Sequence, residues 1–242
     1  MKKLYFLLVF LGTMVVVAKA QVKPFRGSWY ACSEIGIVSG RTRMVTGELS
    51  IFAPGGSGIL VPYGFKIGYN FNPYLSLESG VGVYPVSMVY IFEDSKIIGS
   101  SPLRFLSIPL RVNWRIYVLN RQLEAYTSFG VQYIRANDGL NSNSFSGNII
   151  SSRHAFTDTL AYRGAVNVLR TNAFVADVGV GINWIMSKRF TLNVYGRQNI
   201  GLMNLAMVGI SIQQNQEPAK KAEFVSRGTG LNVGVGLKYN FR

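Results

Sequence analysis

The sequence predicts an all-β chain, an eight-stranded antiparallel up-and-down barrel, and three observations carry that expectation. Eight segments alternate between an apolar face and a small or polar face. The connections between them alternate between long and short. The last segment, Gly230 to Arg242, shows the pattern most cleanly. Leu231, Val233, Val235, Leu237, Tyr239 and Phe241 alternate with Asn232, Gly234, Gly236, Lys238, Asn240 and Arg242. Successive side chains of a strand point to opposite faces, so one face is wholly apolar, and no helical period fits.

Composition agrees. The 242 residues are 48% hydrophobic and 15% charged, with 26 Gly, 13 Tyr and 15 Phe. An ordinary soluble domain carries roughly 25% charged residues. Lys2 and Lys3, the apolar run Leu4 to Val17, and Ala18-Lys19-Ala20 before Gln21 read as a secretory signal. That run is shorter than the ~20 residues a spanning helix needs. A membrane-embedded mature chain must therefore cross with strands. Cleavage would remove three lysines, leaving 22 bases against 11 acids, a net +11. Such a charge favours anionic lipid, lipopolysaccharide phosphate or acidic polymers as partners, and an exported barrel is a poor candidate for nucleic acid. Cys32 is the only cysteine, so no internal disulfide is available.

The segments follow in order. The first, about Ser28–Gly40, sets Trp29, Ala31, Ile35 and Ile37 against Tyr30, Cys32, Glu34 and Gly36. The second, Ile59–Phe71, sets Tyr63, Phe65, Ile67 and Tyr69 against Gly64, Lys66, Gly68 and Asn70, and ends at the turn signal Asn72-Pro73. The third, Tyr74–Tyr90, opposes Leu75, Leu77, Val81 and Val83 to Ser76, Glu78, Gly80, Gly82 and Tyr84. In the fourth, Arg104–Val118, Leu106 to Ile116 oppose Ser107, Arg111, Asn113 and Arg115, and Pro109 predicts a bulge or an open ladder position. The fifth, Gln122–Ile134, places Glu124, Tyr126, Ser128 and Gln132 on its polar face. The sixth, Asn172–Met186, places Asp177, Gly179, Gly181 and Asn183 there. The seventh, Phe190 to about Leu205, places Asn193, Tyr195 and Arg197 there.

Residues 72–73, 119–121 and 187–189 are short connections, whereas 41–58, 93–103, 136–171 and 206–229 are long. Outer-membrane barrels keep short turns in the periplasm and long loops outside, which predicts both termini in the periplasm. The expected division is a signal peptide over 1–20, an N-terminal periplasmic segment over 21–27 and an outer-membrane barrel domain over 28–242. Trp29, Tyr69, Phe71, Tyr74, Trp114, Trp184, Phe190, Tyr239 and Phe241 gather near the short-turn end as a periplasmic aromatic girdle.

A soluble exported lipocalin-like binder would also be an eight-stranded barrel, with its apolar faces turned inward. The polar faces decide against it, being rich in Gly and carrying charges that complement across neighbours. Taking strands as neighbours in order, Glu34 lies between Lys66 and Lys238, and Glu78 between Lys66 and the Arg111/Arg115 pair. Glu124 lies beside that pair, and Asp177 faces Arg197. Buried charges are costly unless paired, so these nine residues are the expected interior charge network. Eight strands enclose an interior just filled by side chains, which predicts no open pore.

Four stretches carry a resemblance: Gly68-Tyr69-Asn70-Phe71-Asn72-Pro73-Tyr74, Leu106-Ser107-Ile108-Pro109-Leu110-Arg111, Gly179-Val180-Gly181-Ile182-Asn183-Trp184, and Gly234 to Phe241. On these the chain resembles small eight-stranded outer-membrane barrels with the general fold of the OmpA transmembrane domain and OmpX. It is more closely similar to the outer membrane protein beta-barrel sequences of bacteria that use type IX secretion, including the PorT-like group. The resemblance implies a non-enzymatic part in moving proteins across the outer membrane, with secretion-machinery proteins as partners. An Arg after the terminal aromatic departs from the usual barrel-assembly signal.

Catalytic chemistry finds little footing. His154, with Ser151, Ser152 and Asp158 nearby in the longest connection, is the only nucleophile–base combination and makes a lipid A-modifying enzyme the alternative function. A loop cluster is not a preorganised site, and the expected reading is a loop histidine. One His and one Cys far apart predict no metal, and the Gly-rich segments lie within strands or at the 55–58 hinge, so no phosphate-binding cofactor is expected. The loops carry Arg41, Arg43, Arg153, Arg163, Lys220 and Lys221 as expected lipopolysaccharide contacts, with Arg135, Arg170 and Arg227 nearby. Asn137–Asn148, rich in Asn, Ser and Gly, is expected to be mobile, and Ala161–Leu169 to form a short helix or strand extension.

Overall fold

The computed structural model describes residues 27–47, 52–54, 59–92, 97–119, 122–136, 142–153, 156–214 and 218–241. The expected signal peptide, all of the 21–27 segment except Gly27, the 55–58 hinge, His154 and Arg242 lie outside the described residues. The strands are β1 (Ser28–Thr46), β2 (Phe52–Pro54), β3 (Ile59–Leu60), β4 (Tyr63–Asn70), β5 (Leu75–Phe92), β6 (Ile97–Leu119) and β7 (Leu123–Ala136). They continue as β8 (Ser142–Arg153), β9 (Phe156–Val168), β10 (Asn172–Ile185), β11 (Phe190–Gly201), β12 (Ala206–Gln214) and β13 (Lys220–Asn240).

Eight of them close a ring in the order β1, β4, β5, β6, β7, β10, β11, β13, and β13 pairs back onto β1. Every pairing in the ring is antiparallel. The fold is thus all-β, a closed eight-stranded up-and-down barrel. Its apolar faces point outward: Trp29, Ile35, Phe65, Leu110, Val180 and Val235 are exposed, whereas Glu34, Lys66, Glu78, Arg111, Asp177 and Arg197 are buried. A lipocalin-like barrel would show the reverse, so that alternative falls. An apolar exterior over a polar interior is the arrangement of a transmembrane barrel. Closure leaves no sheet edge facing the apolar surroundings, as a lipid-embedded sheet requires.

The short connections form as their sequences dictate. The Asn72 side-chain oxygen accepts from the backbone N–H of Tyr74 and of Leu75, both at 2.8 Å, which folds the turn before β5. The Ser187 hydroxyl oxygen accepts from Phe190 N–H at 3.0 Å in the turn before β11. Around this end the aromatic girdle packs ring on ring, with Trp29–Tyr69 at 4.9 Å, Tyr69–Phe71 at 5.1 Å and Phe190–Tyr239 at 5.4 Å. Pro109 opens the β5–β6 ladder without a bulge, since Ser79↔Leu110 and Gly82↔Ser107 keep one register on either side of it. Proline has no N–H to give, and its carbonyl is taken by the Ser79 hydroxyl at 2.8 Å.

The long-connection end differs from expectation. The stretch 136–171, expected as one very long loop, contains β8 and β9 paired as a hairpin, and Ala161–Leu169 lies almost wholly in β9. Thus Ser142–Asn148, within the segment expected to be mobile, is strand. The stretch 206–229 holds β12 and the first half of β13, so the closing strand begins at Lys220 rather than Gly230. β7 leads into β8, β9 into β10 and β11 into β12, and the sheet β8–β9–β12–β13 continues the barrel wall past its rim. Backbone pairing builds β8, whose Ser and Asn residues give no apolar alternation to read.

At the rim, β13 exchanges β11 for β12 across a bulge at 227–229. Gly228 there has φ +74, a left-handed conformation that suits glycine. Its carbonyl accepts the Tyr84 hydroxyl from across the barrel. Above the polar interior lies an apolar layer joining Tyr84, Met88, Phe105, Ile134 and Val175 of the wall to Val166, Leu205, Val208 and Phe224 of the extension. The polar face predicted for the whole interior therefore holds only below this layer.

Candidate functional site

The sequence-predicted network residues are all inside the barrel, and all but Arg115 are buried. They form a chain of alternating sign. Arg197 donates from both terminal nitrogens to the Glu34 carboxylate, at 2.8 and 2.9 Å. Lys66 Nζ lies 2.5 Å from the same carboxylate and donates at 3.3 Å to Glu78. Glu78 also accepts the Tyr30 hydroxyl at 3.1 Å and lies 3.9 Å from Arg111 Nη1. Arg111 Nε donates to both Asp177 oxygens at 3.0 Å, and the Gln132 amide donates to Asp177 at 2.9 Å. Nearer the turns, Arg115 Nη1 stands 3.9 Å from Glu124, which accepts from the Asn183 amide at 3.0 Å.

Two pairings differ from nearest-neighbour reasoning. Asp177 pairs with Arg111, not Arg197, and Arg197 pairs with Glu34. For Arg111 glycine is the physical reason. Arg111, Gly130 and Asp177 stand in one cross-strand row, so Arg111 passes over a position with no side chain. A Cβ at Gly130 would meet the Arg111 stem. Arg197 reaches past β13 to Glu34 on β1, with its guanidinium over the Tyr195 ring at 3.7 Å. Lys238 does not pair with Glu34 either. Its ammonium lies over the rings of Tyr30 and Tyr126, at 5.3 and 5.2 Å. Those two tyrosines fit because Gly68 and Gly181 stand opposite: a Cβ at either would fall into the Tyr30 or Tyr126 ring.

Sequence reasoning missed Tyr30, Tyr126 and Gln132 as network members, although alternation had put each on the polar face. A cavity of about 40 Å³ adjoins Glu34, Lys66, Arg111, Gln132 and Arg197 beneath the apolar layer. That is room for a few waters. Arg197 Nε and Asn232 Oδ1 are buried without a protein partner near it. Each interior carboxylate among the described residues lies within 4 Å of a cation. Among the described residues no group of three His, Cys, Asp or Glu could hold a metal ion.

Of the expected lipopolysaccharide contacts, Arg41, Arg43, Arg163, Lys220 and Lys221 are exposed beyond the apolar belt. The side chain of Arg153 lies outside the described residues, as do those of Ser151, Ser152 and Asp158. The expected loop histidine and its alternative catalytic role fall outside them too.

A closed ring of eight strands, apolar without and ion-paired within, defines the class as a small transmembrane β-barrel of outer-membrane type. No protein-family model matches the sequence, and no curated protein matches it. Solved structures do match. Against the outer membrane protein OprG of Pseudomonas aeruginosa the TM-score is 0.50 at 9% identity, covering 89% of this chain and 96% of that one. A major outer membrane protein of Thermus thermophilus gives 0.49 at 12% identity, covering 90% and 100%. Neisserial surface protein A gives 0.46 at 12% identity, also covering 90% and 100%. At 9% identity the likeness to OprG is one of fold alone.

Proposed function

We infer that this chain is a non-enzymatic barrel of the bacterial outer membrane with a structural or interaction role. The observation that carries this reading is the filled interior. A saturated ion network and an apolar layer lie in series along the barrel axis, which suits a wall-and-anchor role better than a diffusion channel. In this reading the short turns and the termini face the periplasm, and the β8–β9–β12–β13 sheet stands outside the cell. Outer-membrane lipid and lipopolysaccharide meet the belt and the basic residues beyond it. The PorT-like resemblance supports the finer role, an accessory of a type IX-like protein-secretion machine, for which the extended sheet offers a contact surface.

The test is a tagged pull-down from native outer membranes in mild detergent, followed by mass spectrometry. Co-recovery of secretion-machine subunits is expected. Recovery of lipopolysaccharide alone would sink the secretion role while leaving a stand-alone barrel. Mass analysis of lipid A from a deletion strain checks the non-enzymatic part, and an altered lipid A profile would overturn it.

A further inference from the structure

The outer wall carries a basic cluster where the apolar belt ends. Arg135 on β7 stands directly between Leu106 of β6 and Asn172 of β10 in the cross-strand register. Arg104 lies two residues beyond Leu106 on the same strand face, and both arginines are exposed. Directly opposed residues on one sheet face are about 5 Å apart and diagonal ones about 7–8 Å, so the two arginines are near neighbours. Arg170, also exposed, lies two residues before Asn172.

Like charges so placed repel unless an anion lies between them. Among the described side chains no acid stands there. Of the acids with described side chains, Glu34, Glu78, Glu124 and Asp177 are inside the barrel, and exposed Glu223 is on β13, several strands away. Neither Arg104 nor Arg135 has an ion-pair partner among the described residues. Just below them the wall is apolar and outward-facing: Leu106 and Phe174 are half exposed, and the Tyr133 ring packs on Phe174 at 5.6 Å. The Tyr133 hydroxyl donates to Asn172 Oδ1 at 2.6 Å, which fixes the Asn172 side chain beside Arg135.

We propose that Arg104 and Arg135, with Asn172 beside them, bind the phosphate head of an anionic lipid whose acyl chains lie on Leu106, Tyr133 and Phe174. The proposal rests on the membrane-barrel reading above. Guanidinium groups fit phosphate oxygens in a bidentate fork, and two of them flank a phosphate as one cannot. The apolar ground directly below selects a lipid over a free anion.

The test uses the full chain folded in phosphatidylcholine nanodiscs doped with bis-phosphorylated lipid A, with retained lipid counted by native mass spectrometry. Wild type should hold lipid A, and the Arg104→Gln/Arg135→Gln variant should lose at least ten-fold in retention. The Lys188→Gln/Arg189→Gln control removes equal charge from the exposed short turn before β11 and should retain it. Dephosphorylated lipid A should not be retained, and excess inorganic phosphate should not displace the bound lipid. Equal retention by the Arg104/Arg135 variant, equal loss in the control, equal retention of dephosphorylated lipid, or displacement by phosphate would each overturn the proposal. Heat-modifiable gel migration of the same samples separates the two levels. A wild-type chain that fails to insert sinks the membrane reading, whereas an inserted wild type that holds no lipid sinks only this site.

Discussion

Arg111 reaches Asp177 across Gly130, one strand out of turn, and binds both carboxylate oxygens at 3.0 Å. The empty position is as much a part of the ion pair as the charges. Gly130→Val would put a branched side chain where the Arg111 stem lies. Separating a buried pair costs about 3–5 kcal/mol, so a loss of that order is expected in urea unfolding from lipid vesicles. Gly196→Ala, at a site open on the outer face, should leave stability nearly unchanged.

Glu78 joins Lys66, Tyr30 and Arg111. Glu78→Ala takes one of two carboxylates from each of two buried cations, Lys66 and Arg111, and should cost about 3 kcal/mol. Glu124→Ala, whose partner Arg115 is partly exposed, should cost less. The same unfolding series ranks them, and equal losses would count against an interior network centred on Glu78. Tyr30→Phe removes one hydrogen bond to a charged group and should cost about 1.5–3 kcal/mol.

The charge network was legible because strand alternation assigns faces without any knowledge of contacts. Glu34, Lys66, Glu78, Arg111, Asp177 and Arg197 all fall on the face opposite the apolar residues. Which partner each takes was not legible, because pairing depends on where glycines let a long side chain cross a strand. Arg111 with Asp177, across Gly130, is the example. The apolar layer was also hidden. Tyr84, Phe105 and Val175 sit on the nominally polar face, and their partners Val208 of β12 and Phe224 of β13 belong to stretches whose strand character comes from backbone pairing, β12 with β9 and β13 and β13 with β12 and β1.

Phe224 is fully buried at the centre of that layer. Phe224→Ala should cost about 3–5 kcal/mol, seen as a lower midpoint for the loss of heat-modified migration in detergent. Tyr84→Phe keeps the ring and releases the Gly228 carbonyl, so a loss of about 1 kcal/mol is expected.

Orientation is testable by cysteine labelling of whole cells. Cys32 is buried inside the barrel and should stay unlabelled by a membrane-impermeant maleimide until the protein is unfolded. Ser144→Cys, exposed on β8, should label on intact cells, and Ser187→Cys in a short turn should label only after the outer membrane is opened. Labelling of Ser187→Cys on intact cells would invert the topology.

β13 runs from Lys220 to Asn240 as a single strand of 21 residues. At about 3.3 Å per residue and a tilt near 40°, the part before Leu231 rises roughly 25–30 Å beyond the belt. That height matches the thickness of the hydrocarbon it stands on. The hydrogen-bonded ladder that anchors the barrel is therefore also a mast. A load applied to the tip of the β12–β13 hairpin would be carried along one continuous strand to the turns at the opposite membrane face.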